Sequence, residues 1–123
     1  MERQLVKILK SMVPDQHRDF IVQFDGASPK SHVASYRRTG DTKIITLQTG
    51  HFDNPFDMLG AGIHEVAHHL AYNSGVKERA RHGIIFRQYL DWLIRRFNAA
   101  NGRDGRFIWN RRKPTRSPRF VRI

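Results

Sequence analysis

Apolar residues recur along this chain with two different periods, and the switches between them divide it. Leu5, Val6, Ile8, Leu9 and Met12 fall on one face at helical spacing, which predicts a short N-terminal helix stopped by Pro14. Three strand-like runs follow. Asp19-Phe20-Ile21-Val22-Gln23-Phe24 ends at Asp25-Gly26, and Ser31 to Tyr36 alternates with period two until Thr39-Gly40-Asp41. The β-branched run Thr42 to Gln48 ends at Thr49-Gly50. Short strands separated by turns predict a small, three-stranded, mostly antiparallel sheet. Thr42 to Gln48 is expected at its edge, with its inward face left open by the alternation.

Helical spacing then returns. Asn54-Pro55 supplies an N-cap side chain followed by Pro at the first helical position. Met58, Leu59, Ala61, Ile63, Val66, Ala67, Leu70 and Ala71 keep one broad side of the helix apolar until Asn73-Ser74-Gly75 closes it. A second helix is expected from about Val76 to Ala100, with Ile84, Ile85, Tyr89, Trp92, Leu93 and Phe97 at three- and four-residue steps. The pattern is that of an α+β domain over residues 1–100. Residues 101–123, rich in Gly, Pro and Arg, read as a basic tail or a loosely attached terminal strand.

Composition narrows the chemistry more than the fold. A chain of 123 residues with 39% hydrophobic residues has room for one core. No stretch approaches the roughly 18 apolar residues of a membrane span, and no apolar run near Met1 matches a signal peptide, so a monomeric protein of the cytoplasm is expected. With no Cys there is no disulfide, no thiolate nucleophile and no Cys-ligated metal, so a metal site must draw on the seven His and the carboxylates. The net charge of +11 is uneven. Residues 101–123 hold 8 basic and 1 acidic side chain, a net of +7, which asks for a negatively charged partner.

His64-Glu65-Val66-Ala67-His68 matches H-E-x-x-H in the middle of a predicted helix. Residues i and i+4 share a helical face, so both imidazoles can reach one ion, with Glu65 beside them as the candidate general base. A composition with seven His produces this pattern by chance in about one chain in a hundred, and few chance matches fall inside a capped apolar helix. A catalytic zinc needs a third protein ligand and an open fourth position. The metzincin extension is excluded, because Ala71 and Ser74 stand where it needs Gly and His. His69 lies about 100° further round the helix, away from the same ion. Glu78, Asp91 and His82 are the candidates, and His82 is favoured because a return helix would bring it back beside the motif, with Gly83 permitting close approach.

His64-Glu65-Val66-Ala67-His68-His69 followed by Arg81-His82-Gly83-Ile84-Ile85-Phe86 resembles the SprT-like (Spartan-type) zinc metalloproteases, whose pattern is HExxH and then HGxxF on the next helix. The resemblance covers about residues 42–98. It implies a small zincin-like domain, one zinc ion held by His64, His68 and His82, Glu65 as general base, and a protein or peptide substrate. A C-terminal Cys-rich zinc ribbon, common in that family, has no counterpart in a chain without Cys.

Partner expectations come from the C-terminal segment. Phe107 and Trp109 interleave with Arg106, Arg111, Arg112, Lys113, Arg116 and Arg119, a mixture suited to neutralising phosphates and stacking on unpaired bases. The expected activity is therefore hydrolysis of DNA-associated proteins, in the nucleoid or nucleus where DNA binding holds. The competing expectation is a nucleic-acid-binding or regulatory module with a structural zinc closed by a fourth ligand such as Glu78 or His51. A zinc hydrolase acting on something other than peptides also fits the motif.

Overall fold

The computed structural model describes residues 2–26, 33–77, 81–101, 104–110, 112–113 and 116–122. In chain order it contains α1 (Glu2–Ser11), β1 (Ile21–Asp25), β2 (Ala34–Thr39), β3 (Thr42–Gln48), α2 (Pro55–Asn73), α3 (Ile84–Asn101), β4 (Gly105–Ile108) and β5 (Arg119–Arg122). This is the expected α+β class. Among the described residues no helix is long and apolar enough to cross a membrane.

The three-stranded sheet is mixed rather than mostly antiparallel, with the order β1-β3-β2. β2 and β3 form an antiparallel hairpin in which Thr39 faces Thr42. Their two-residue connection begins with Gly40 at φ +61°, a value that such tight turns require. β1 then pairs in parallel with the other side of β3, Val22 opposite Ile45 and Phe24 opposite Leu47. Thr42–Gln48 is thus the centre of the sheet and not its edge. Burial explains the order: Ile45 and Leu47 are fully buried, whereas Ile21 on β1 and Arg37 and Arg38 on β2 are exposed, as suits strands at an edge. The odd-numbered positions of β3 therefore face the core. β1 begins at Ile21 and not at Asp19, because Phe20 turns into the core and the Asp19 carboxylate is held by Lys43. β2 begins at Ala34; Ser31 and His32, expected to open it, lie outside the described residues.

α2 runs through the middle of the molecule and is buried almost continuously from Leu59 to Ala67. Its cap is the expected one: the Asn54 side chain accepts from the Asp57 amide at 3.0 Å, and Pro55 follows at the first turn. Gly75, at φ +77°, ends it in a conformation other residues avoid. α1 packs on it through Leu9, whose side chain lies where a Cβ at Gly62 would sit. α3 starts at Ile84, eight residues later than expected, with Gly83 just outside it. His82 consequently sits in the turn that leads into the helix.

The segment beyond residue 100 is more than a tail. β4 and β5 pair as an antiparallel ribbon, Phe107 opposite Phe120, and the ribbon docks on α2 and α3. Phe107 is a core residue, 1% exposed, set edge-on to Phe97, while Phe120 stacks on Phe56 with centroids 4.1 Å apart. The Asn98 side chain bonds both the amide and the carbonyl of Phe107, standing in for a neighbouring strand. Close approach is secured by Gly60, where a Cβ would overlap the Pro118 carbonyl oxygen and touch Phe107. Gly60→Ala gains about 1 kcal/mol of helix propensity but incurs about 1–3 kcal/mol of overpacking against a backbone atom. A net loss of up to about 2 kcal/mol is expected, read as a lower thermal midpoint; a stabilised variant would refute the contact.

Candidate metal centre

His64 and His68 stand one turn apart on α2, and the turn before α3 brings His82 to them. The three ring centroids are 5.1, 5.2 and 4.8 Å apart. One ligand atom from each lies within 4.8 Å of the others, and among the described residues this is the one cluster of three or more His, Cys, Asp or Glu that can hold a metal. Tetrahedral zinc with bonds of about 2.0–2.1 Å needs nitrogen donors about 3.4 Å apart, a contraction within reach of side-chain rotation. Three imidazoles suit zinc, and the fit is good.

Beneath the cluster lies Phe86, fully buried, its ring 5.0, 4.3 and 4.8 Å from those of His64, His68 and His82. One aromatic of α3 thus supports all three imidazoles and joins them to the core. His64 is 5% and Glu65 7% exposed, while His68 and His82 are half-buried and open the cluster to one side. His64 Nδ1 lies 3.0 Å from Glu65 Oε2. A carboxylate only accepts, so Nδ1 donates, and this tautomer carries its lone pair on Nε2.

Burial, reinforced by His64 and His82 nearby, depresses the His68 pKa to about 3, and burial also lowers that of His82. Both imidazoles are therefore neutral near pH 7, the form that binds metal. The consequence for the metal-free protein follows from linkage. The unfolded chain takes up these protons below about pH 6.5 and the folded one does not, so stability falls as pH drops from about 6.5 towards 3. Thermal unfolding in chelator is expected to show a midpoint falling on the acid side, with a shallower fall in His68→Gln. Equal slopes in the two proteins would contradict this.

Two of the other candidate ligands lie elsewhere. Asp91 is on α3, bonded to Arg95 at 3.1 Å, and His51 is exposed in the turn after β3. Glu78 lies outside the described residues. His69, next to the second ligand, turns away from the metal centre and is fully buried. Its Nε2 faces two acceptors, the His17 carbonyl at 2.9 Å and Asp19 Oδ1 at 3.1 Å, so it carries the proton. Tyr36 Oη then donates to Nδ1 at 2.8 Å. This knot ties α2 to both edges of the sheet, and no spacing in the sequence announces it. Nor does spacing reveal that Tyr36, Arg38, Tyr72 and Arg81 gather beside His68.

The candidate nucleic-acid residues divide by role. Arg106, Arg112, Lys113, Arg116 and Arg119 are exposed, and Arg111 lies outside the described residues. Trp109 is half-buried against the core and its indole nitrogen is buried, while Phe107 is interior. Phe107 thus serves the core, and Trp109 packs partly against it. Comparison of the chain with protein families, with curated proteins and with solved structures finds no match.

Proposed function

We propose that this chain is a zinc-dependent metallopeptidase of the SprT-like kind, acting on DNA-associated proteins. One observation carries the reading: His82, from the turn before α3, converges on His64 and His68 of α2, with Glu65 buried beside them. When bound, zinc supplies Lewis acidity, bringing the pKa of a coordinated water down to about 7 and polarising the scissile carbonyl. Glu65 takes the proton from the attacking water and passes it to the leaving amine. The hydrogen bond from His64 to Glu65 holds base and ligand in one arrangement. Phe86 keeps the inner side of the cluster dry.

The substrate chain lies along β2, the edge strand nearest α2, whose outer edge carries the main-chain groups an added strand needs. The exposed cations of the C-terminal segment supply the contact to DNA through phosphates. The test is an assay on a DNA-binding protein, with and without single- and double-stranded DNA. Cleavage abolished by chelator and restored by zinc is expected; a zinc-loaded protein inert under every condition would sink the reading.

A further inference from the structure

A groove of about 440 Å³ runs between β2 and the C-terminal half of α2 and opens directly beside His68. Tyr36 and Tyr72 form part of its wall, Arg37, Arg38 and Arg81 line it as well, and among the described residues no carboxylate does. The Arg38 guanidinium lies over the Tyr72 ring, its Cζ 3.5 Å from the centroid. A cation–π contact does not consume all five N–H donors of a guanidinium, so Arg38 is held in place with donors to spare. Arg81 enters from the residue before His82 and shares the groove.

We propose that this groove recognises an acidic side chain of the substrate, an Asp or Glu carboxylate taken by Arg38 and Arg81, so that cleavage falls next to acidic residues. This rests on the peptidase reading and adds the substrate class to it. Planar guanidinium forks match a carboxylate in a bidentate manner, and the groove borders the edge strand along which an extended peptide would pair. A nucleic-acid strand is less well served here. It needs a longer track of cations than Arg37, Arg38 and Arg81 provide, and the exposed Arg106, Arg112, Lys113, Arg116 and Arg119 belong to the segment docked at Phe56 and Gly60, towards the other end of α2.

The experiment is fluorescence anisotropy at low salt with the full chain carrying Glu65→Gln, so that bound peptide is not turned over. The probes are three labelled decapeptides differing only in a central Glu, Gln or Lys. The Glu peptide is expected to bind about tenfold more tightly, the worth of one charge-assisted contact. The ratio is expected to fall below about twofold in Arg38→Gln/Arg81→Gln and to favour a Lys peptide in Arg38→Glu/Arg81→Glu. Circular dichroism and zinc content check that these surface changes leave the fold intact. Equal affinities for the Glu and Gln peptides, binding of neither, or a ratio that survives the double substitution would overturn the proposal. So would a single-stranded oligonucleotide whose binding is lost in the same double variant while the peptides stay indistinguishable, since that assigns the groove to phosphate. Because the readout is binding, failure of the zinc-dependent cleavage assay and failure of the acidic preference are separate results.

Discussion

Glu65→Gln is expected to reduce zinc-dependent cleavage by about 10²–10⁴-fold while leaving zinc content unchanged. The amide has nearly the shape of the carboxylate, and its oxygen still accepts the hydrogen bond that His64 Nδ1 makes at 3.0 Å. What it loses is the capacity to take a proton at neutral pH. Glu65 also positions its neighbour, and a second substitution separates the two roles. Glu65→Ala removes the acceptor as well, so it is expected to lose cleavage and also about 10–100-fold in zinc affinity, the usual cost of losing a partner that orients a metal ligand. Retained cleavage in Glu65→Gln would refute the general-base assignment. Equal zinc affinity in the Gln and Ala variants would remove the positioning role and leave the proton-transfer role standing.

The sequence makes local structure legible here and leaves its assembly obscure. The Thr42–Gln48 strand and the Pro55–Asn73 helix are read to the residue or nearly so, because β-branched runs, an Asn-Pro opening and a closing Gly act within a few positions. The convergence of the three His is legible for a related reason: His64 and His68 share one helix, and His82 stands just before the helix expected to return beside it. Strand order is different. Alternation specifies which residues share a face but not which strand lies in the middle, and only the burial of Ile45 and Leu47 puts β3 there. The docking of the C-terminal ribbon depends on Gly60 and Phe107, which are 47 residues apart in a pattern with no common period. His69 reads as a stray neighbour of the motif, although its partners on β2 and ahead of β1 make it the joint between helix and sheet.

Phe86→Ala is expected to be the most damaging single change to stability, and its effect should reach the metal. Phe86 is fully buried, and truncating such a ring costs about 3–5 kcal/mol, a large part of the 5–15 kcal/mol that holds a typical domain. For a chain of this size that lowers the thermal midpoint by roughly 10–20 °C. A second loss follows from the ring's place under all three imidazoles, centroids within 5.0 Å of each. Without that floor His64, His68 and His82 gain rotamer freedom that zinc must remove on binding, so affinity falls. Leu90 is the control, since it is also fully buried and sits one turn further along the same helix. Leu90→Ala is expected to lose about 2–5 kcal/mol yet keep the wild-type rise in midpoint on adding zinc, whereas Phe86→Ala shows a smaller rise. A zinc-induced rise in Phe86→Ala as large as the wild type's would mean that the ring serves the core alone. A diminished rise would show that core and metal centre are one packed unit, in which the aromatic of α3 preorganises ligands that the H-E-x-x-H helix cannot hold still by itself.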